Sequence, residues 1–260
     1  MTEPLGGQAG TLLVGAGNMG GALLARWIAE AKAAGEGPAA FLVAEPAPGP
    51  AVADLLKREG IAHVADVAVL GPIAADTLVL AVKPQGMGEV LKGLAFARPP
   101  GLVLTVAAGL PISFYEARLG RVPIVRAMPN MPALIGKGVS VAVANGAAGA
   151  WARARAEGLL AAAGAVRWVE DEELMHAVTA VSGSGPAYVF LLAECLEEAA
   201  IAQGLAPELA RDLARATVSG AGALLDADPR GAGELRAAVT SPGGTTAAAL
   251  GVLTGTEGLG

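Results

Sequence analysis

Thr11-Leu12-Leu13-Val14-Gly15-Ala16-Gly17-Asn18-Met19-Gly20 decides the fold of this chain. A short apolar run enters Gly-x-Gly-x-x-Gly. A helical stretch follows over residues 21–34, with Leu23, Leu24, Trp27, Ile28 and Ala31 at helical spacing. Alone, the glycine pattern says little. Between a strand and a helix it is a dinucleotide-binding fingerprint. Gly15 makes the tight turn, Gly17 lets the backbone approach a pyrophosphate, and Gly20 allows close helix–strand packing. Ala16, Asn18 and Met19 complete the loop. The plainer alternative is a glycine-rich turn without a ligand.

Outward from this loop, short apolar runs alternate with helical ones as far as Glu170. Strands are expected at residues 11–15, 40–44, 77–82, 102–107, 124–127, 139–144 and 166–169. Helices are expected at 50–60, 87–94, 111–119 and 150–163. Near-continuous apolar strands alternating with helices predict a doubly wound, mostly parallel sheet of the Rossmann type, helices on both faces. Ser113 with Glu116 has the form of a capping box opening one helix. After Glu170 the strand signals stop, and helical runs cover 171–181, 186–203 and 207–225. The chain therefore divides into an α/β domain over residues 1–170 and an all-helical domain over 171–260. So small and apolar a helical domain would be marginal alone, so its faces are expected to meet another subunit.

Composition excludes several classes. There are 18 basic and 24 acidic residues among 260, a net charge of −6, with an isoelectric point near 5.0. A nucleic-acid binder needs a basic footprint. Mean hydropathy is high, +0.54, but the long charge-free runs at 174–193 and 237–256 are broken by Gly-Pro and Pro-Gly clusters. Neither makes a continuous membrane-spanning helix. Residues 1–10 lack the basic and apolar regions of a signal peptide. The single cysteine, Cys195, excludes an internal disulfide, fits a reducing cytoplasm and sits on a helical pattern that suggests core packing.

The chain offers few chemical groups. His63 reads as a surface or sheet-edge residue, and His176 as helix packing in preference to a His–carboxylate relay. No cluster has metal-ligand spacing, so no metal is expected. Lys83 follows the run ending at Val82, at a sheet edge where ligands bind; it faces cofactor phosphate or substrate, or is a solvated strand-end lysine. Glu45 ends the second strand, where an acidic residue holds the adenosine ribose hydroxyls and disfavours a 2′-phosphate. No arginine lies among the ten residues after Pro46, so local physics leans towards NADH; a solvated loop carboxylate is the alternative. Near the other end, Thr240-Ser241-Pro242-Gly243-Gly244-Thr245-Thr246 precedes Ala247-Ala248-Ala249-Leu250. Hydroxyls and glycines at a helix mouth suit a small molecule with a carboxylate and a polar nitrogen; an ordinary capped turn is the alternative.

These motifs, with Ala81-Val82-Lys83-Pro84-Gln85, Arg126-Ala127-Met128-Pro129-Asn130-Met131-Pro132-Ala133 and Ala180-Val181-Ser182-Gly183-Ser184-Gly185-Pro186-Ala187-Tyr188, resemble the pyrroline-5-carboxylate reductases, in order along the chain. The resemblance implies an N-terminal Rossmann domain and a helical domain forming an interlocked homodimer, sometimes assembled into a decamer. It implies reduction of 1-pyrroline-5-carboxylate to L-proline by NADPH or NADH, the last step of proline biosynthesis. Ala81, Val82, Lys83, Pro84, Val106, Ala107 and Ala108 would line the cofactor site. Ser241, Gly244, Thr245 and Thr246 would hold the substrate, and Glu172 aligns loosely with a carboxylate near it. Members of the family continue past the position of Gly260 with a last helix of roughly 15 residues, so a longer chain or a thinner dimer interface is expected.

Imine reduction needs positioning of hydride donor and acceptor and polar groups aimed at the changing nitrogen. Thr246 is the candidate for that nitrogen, supported by Ser241. The N–H groups of Gly244, Thr245 and Thr246 are candidates for the carboxylate. Water can supply the proton. Two other classes compete. A β-hydroxyacid dehydrogenase uses a lysine in its helical domain, and this chain has none after Lys137. A non-catalytic NAD(H) sensor would not need the segment from Ser241 to Thr246.

Overall fold

In the computed structural model, which describes residues 10–35 and 41–256, β1 (Thr11–Val14), α1 (Asn18–Ala33), β2 (Phe41–Ala44), α2 (Pro50–Glu59) and β3 (Ala62–Val64) follow one another. A short β4 (Pro72–Ile73) precedes β5 (Thr77–Leu80), α3 (Pro84–Gly93), β6 (Ala95–Phe96), β7 (Leu102–Thr105) and α4 (Ile112–Leu119). Then come β8 (Ile124–Met128), β9 (Gly138–Ala144), α5 (Ala150–Ala161) and β10 (Gly164–Trp168). The principal sheet has the order β10-β9-β8-β7-β5-β1-β2-β3. Its pairs are parallel except β8 with β9. β1 lies between β5 and β2, so the chain order reverses there. Open α/β sheets bind ligands outside the carboxyl ends of the strands at such a point.

The central strands β1, β5 and β7 are buried along their whole length because both faces are covered. One face carries Leu23, Leu24, Trp27 and Ile28 of α1 with Leu159 and Leu160 of α5. The other carries Met87 and Leu91 of α3 with Ile112 and Tyr115 of α4. Each large aliphatic or aromatic side chain contributes about 1.5–3 kcal/mol by leaving water. Trp27 Nε1 donates to the Leu159 carbonyl at 2.7 Å, so its one polar group is satisfied inside the core.

Several expectations need correction. The strands expected to reach residues 15, 82 and 107 end at Val14, Leu80 and Thr105. Gly15 has φ +91°, which ends the extended backbone. Pro84, with its preset φ, starts α3 earlier than the Met87 expected. The Ser113–Glu116 capping box does not form. α4 follows Pro111 without a capping side chain. Its first N–H, that of Ile112, donates to Glu172 Oε1 at 2.8 Å, while Glu116 Oε1 accepts from Asn145 Nδ2 at 2.9 Å. The two-residue β4 and β6 and the three-residue β3 were not foreseen, being too short to show a period. The start of the second strand at Ala40 and the readings of residues 1–9 and 257–260 lie outside the described residues.

The single helix expected over 171–181 is instead three windings. A 3₁₀ turn (Glu172–Leu174) passes into α6 (Met175–Val178) and then a π turn (Thr179–Gly183). Thr179 Oγ1 donates to the Met175 carbonyl at 2.7 Å and Ser182 Oγ to the Val178 carbonyl at 2.9 Å. Such back-bonding hydroxyls disturb regular helix. A Cβ on Gly183 would stand 2.6 Å from Met128 Cε, so the turn presses against β8. His176, expected to pack, is exposed on α6.

By compactness the chain falls into two units, Met1–Pro186 and Ala187–Gly260. The second consists, in its described residues, of all but the first two residues of α7 (Gly185–Ala202), with α8 (Pro207–Ala227), α9 (Ala232–Ala238) and α10 (Thr245–Leu253). α9 was not foreseen, although Gly231 and Glu234 carry its signal: the Gly231 N–H donates to Glu234 Oε2 at 2.9 Å. Little is buried in this unit taken singly. Tyr188, Phe190, Leu191 and Leu196 of α7 are exposed, and so is Cys195, contrary to the core position expected. The helix it sits on buries no residue within the single chain.

Candidate cofactor and substrate sites

The glycine loop sits at the switch point, and each glycine there has a separate reason. A Cβ on Gly15 would lie 2.8 Å from the Ala81 carbonyl, and its φ of +91° is left-handed. A Cβ on Gly20 would collide with the Gly15 carbonyl oxygen and lie 3.0 Å from Ala81 Cβ. These two glycines let α1 and β5 approach each other. Gly17 differs: its φ is −67° and a Cβ there would meet nothing within 4 Å. Among the described residues, no packing requires glycine at 17. The amides of Asn18, Met19 and Gly20 open α1 with no carbonyl one turn back, and no side chain caps them. Uncapped amides of this kind, together with the helix dipole, favour an anion.

A cleft of about 710 Å³ opens beside this loop, lined among others by Gly15, Gly17, Glu45, Val82 and Lys83. Half-buried Glu45 is held firmly. Its Oε2 accepts from the Ala16 N–H at 2.8 Å and its Oε1 from the Ala47 N–H at 3.1 Å. Its own N–H donates to the Val64 carbonyl at 3.0 Å, and its carbonyl accepts from His63 Nε2 at 2.8 Å. His63 is thereby placed on the edge strand β3. Lys83 caps α3 and is exposed. Ala81 and Val82 leave the end of β5 half-buried, and Pro84 is the first residue of α3. Val106, Ala107 and Ala108 leave the end of β7 along the same carboxyl edge; the Val106 N–H donates to the Leu80 carbonyl at 3.0 Å.

Behind that edge lies a buried polar chain that sequence reasoning missed. Tyr115 OH and Thr105 Oγ1 are 2.7 Å apart, and Thr105 Oγ1 accepts from the Ala107 N–H at 3.4 Å. Burial pushes the Tyr115 phenol above its ordinary value, against the pull of the Thr105 bond and the Arg126 charge. Arg126 is itself buried on β8 and pairs with Glu172 Oε1 at 2.7 Å. That oxygen also accepts from Ile112, so the structure gives Glu172 a role of its own within the α/β unit. Asn130 likewise accepts from the Val139 N–H at 2.9 Å and donates to the Ser182 carbonyl at 3.1 Å. An arginine inside an apolar strand was the available signal, because a buried charge demands a partner.

In the second unit, Ser241-Pro242-Gly243-Gly244 turns the chain from α9 into α10, with Gly243 at φ +70°. Gly244 is the N-cap, and its N–H donates to the Ser241 carbonyl at 3.1 Å. That removes Gly244 from the free donors expected for a carboxylate. The amides of Thr245 and Thr246 open α10 and remain. Thr240 Oγ1 is committed to the Arg236 carbonyl at 2.6 Å. The hydroxyls of Ser241, Thr245 and Thr246 are exposed and have no hydrogen-bond partner among the described residues. Among the described residues, no group of three or more His, Cys, Asp and Glu is placed to hold a metal.

Two family models match the chain. One, described as pyrroline-5-carboxylate reductase dimerisation, covers residues 172–258. The other, described as NADP oxidoreductase coenzyme F420-dependent, covers residues 11–109. A pyrroline-5-carboxylate reductase of Pseudomonas aeruginosa is 46% identical over 178 residues, 68% of this chain and 65% of that protein, just under two thirds of its length. One from Synechocystis is 37% identical over 241 residues, 93% of this chain and 88% of that protein. Among solved structures, a pyrroline-5-carboxylate reductase of Coxiella burnetii superposes with a TM-score of 0.82 at 33% identity, covering 95% of this chain and 90% of that one. A Plasmodium falciparum pyrroline carboxylate reductase with NADP bound gives 0.77 at 28% identity, covering 95% and 90%.

Proposed function

The chain belongs to the pyrroline-5-carboxylate reductase family, and we infer from that membership that it transfers hydride from NAD(P)H to the cyclic imine 1-pyrroline-5-carboxylate, giving L-proline. One observation supports this reading above the others. The chain carries two helix N-termini fitted for anions, one beside an open glycine at Gly17 and one beside the unused hydroxyls of Ser241, Thr245 and Thr246. The first suits a pyrophosphate and the second a small carboxylate. The reaction belongs to the biosynthesis of proline.

The residues of the chain bind and orient. Asn18, Met19 and Gly20 supply amides to the dinucleotide phosphates, Gly17 leaves room for them, and Ala16 holds Glu45 in place. Ala81, Val82, Lys83, Pro84, Val106, Ala107 and Ala108 shape the carboxyl edge towards the nicotinamide end. Bound there, the reduced nicotinamide supplies the hydride. The amides of Thr245 and Thr246 hold the substrate carboxylate, with Ser241 beside it. The Thr246 hydroxyl hydrogen-bonds the imine nitrogen. As hydride adds to the imine carbon, the C=N electron pair moves to nitrogen, whose proton comes from water. No histidine is needed. Positioning of this kind accounts for a large part of such barriers. Glu172 acts through Arg126 and the start of α4 and does not touch substrate in this reading.

The helical region matched by the dimerisation model serves assembly into an oligomer. The exposed Tyr188, Phe190, Leu191 and Leu196 form a surface that association would cover. A homodimer is the proposed unit, with a decamer as a further assembly. The domain boundary is proposed at Glu170/Asp171, where the strand–helix alternation stops. A cytoplasmic location is proposed from the lone cysteine, and the acidic balance supports small-molecule rather than nucleic-acid partners. Among the described residues no helix is long and apolar enough to cross a membrane. The test is oxidation of NADH and NADPH, side by side, on addition of pyrroline-5-carboxylate. Product that co-elutes with L-proline supports the reading; no oxidation of either cofactor by purified protein sinks it.

A further inference from the structure

We propose that the wall formed by Glu45, Asp66 and Glu89 makes this protein select NADH against NADPH, with Glu45 as the residue that sets the choice. The proposal rests on the cofactor reading of the cleft given above. Among the described residues, the cleft is lined by three carboxylates, Glu45, Asp66 and Glu89, and by one cation, Lys83, with no arginine and no serine or threonine hydroxyl. A 2′-phosphate brings close to two further negative charges and needs donors. Lys83 follows β5, whereas Glu45 ends β2, and β1 lies between them. Neighbouring strands are about 4.8 Å apart, so the backbone that carries Lys83 stands roughly 10 Å along the sheet edge from that of Glu45.

Glu45 cannot easily turn away. Its two carboxylate oxygens accept from Ala16 and Ala47 at 2.8 and 3.1 Å, and its backbone is tied to Val64 and His63. Swinging the carboxylate aside would strip the Ala16 N–H of its partner beside the phosphate loop. Each carboxylate oxygen has a second lone pair. In this position of the fold, such an acidic side chain accepts the two ribose hydroxyls. With NADPH the same fixed charge meets a phosphate. Asp66 is also fixed, accepting from the Ala68 N–H at 2.9 Å. Glu89 pairs with Lys92 at 2.7 Å and keeps 80% side-chain exposure, so it contributes little.

Equilibrium titration of the purified protein with NADH and with NADPH by calorimetry tests this, alongside the imine-dependent oxidation assay. The expected result is a Kd for NADPH at least tenfold weaker at low salt, about 1.4 kcal/mol. The gap should narrow as salt screens the repulsion. Glu45→Gln has the same shape, keeps an oxygen for the Ala16 N–H and should close most of the gap. Equal or tighter NADPH binding by the wild type overturns the proposal. A gap that ignores both salt and Glu45→Gln also overturns it, since size and not charge would then be selecting. Should Glu45→Gln fail to fold, the salt series on the wild type decides. Selective NADH binding without imine reduction would leave the proposal standing and remove the function. Binding of neither cofactor would remove both.

Discussion

Gly17→Ala and Gly20→Ala change the same loop by the same methyl group, and the structure predicts opposite consequences. At Gly17 the new Cβ enters open space, and φ of −67° with ψ of −155° is extended backbone that alanine adopts. Alanine restricts the unfolded chain, which stabilises by about 0.4–1 kcal/mol. It is a poorer N-cap than glycine, which offsets much of that gain. The net change should stay within about 1 kcal/mol, and the melting temperature within roughly 4 °C. The methyl group nevertheless stands on the approach of the pyrophosphate to the amides of Asn18, Met19 and Gly20. Losing one hydrogen bond to a charged group costs about 1.5–3 kcal/mol, a factor of roughly 10 to 100 in Kd. Gly17→Val should be worse still. At Gly20 the Cβ collides with the Gly15 carbonyl oxygen and crowds Ala81. Overpacking of this kind costs about 1–3 kcal/mol and lowers the melting temperature by roughly 2–12 °C. Thermal melts without cofactor, paired with calorimetric NADH titration, separate the two. A Gly17→Ala protein that binds NADH like the wild type, or that melts below Gly20→Ala, would refute the division of roles in this loop.

Three further outcomes follow from the polar groups. Thr246→Ala should lower turnover by roughly 10- to 1000-fold, the range for one preorganised donor or acid–base contact, with an unchanged melt because the hydroxyl is exposed and unbonded within the chain; wild-type turnover would remove Thr246 from the mechanism. Glu172→Ala should destabilise by roughly 2 kcal/mol in urea, below the 3–5 kcal/mol of a fully buried pair because the Glu172 side chain keeps 28% exposure; unchanged stability with a raised KM would return Glu172 to the substrate. For Tyr115, the folded pKa lies above the unfolded value of 10.0, so the folded chain holds a proton that the unfolded chain releases. That contribution is complete below about pH 10 and is lost as pH climbs through the folded value. Tyr115→Phe should therefore flatten the alkaline fall in stability, and an equally steep fall would show that another group titrates there.

Much of the α/β unit was legible because its signals are local. A strand, a tight glycine turn and a helix follow one another within Thr11–Ala33, and their pattern depends on neighbours a few residues away. The same holds for the edge position of His63 and for the presence of a helix after the hydroxyl–glycine turn, whereas the start of α3 at Pro84 lies three residues before the expected Met87. The tight turn at Gly15 and the close packing at Gly20 were read from the motif alone and the geometry agrees, while at Gly17 the structure shows open space. What sequence reasoning missed joins residues far apart in the chain. Glu172 reaches Ile112 and Arg126 across 60 and 46 positions, and it thereby displaces the capping box that Ser113 and Glu116 suggested. Glu45 meets the Ala16 N–H across 29 positions, which turns a loop carboxylate into a fixed wall of the cleft. The helix expected over 171–181 is broken by its own hydroxyls and by the closeness of Met128. Periodicity and turn chemistry report the conformation that a segment prefers. The partner of a buried charge or of a free amide depends on which strands lie side by side, and that order is settled only when the sheet closes its apolar faces from water.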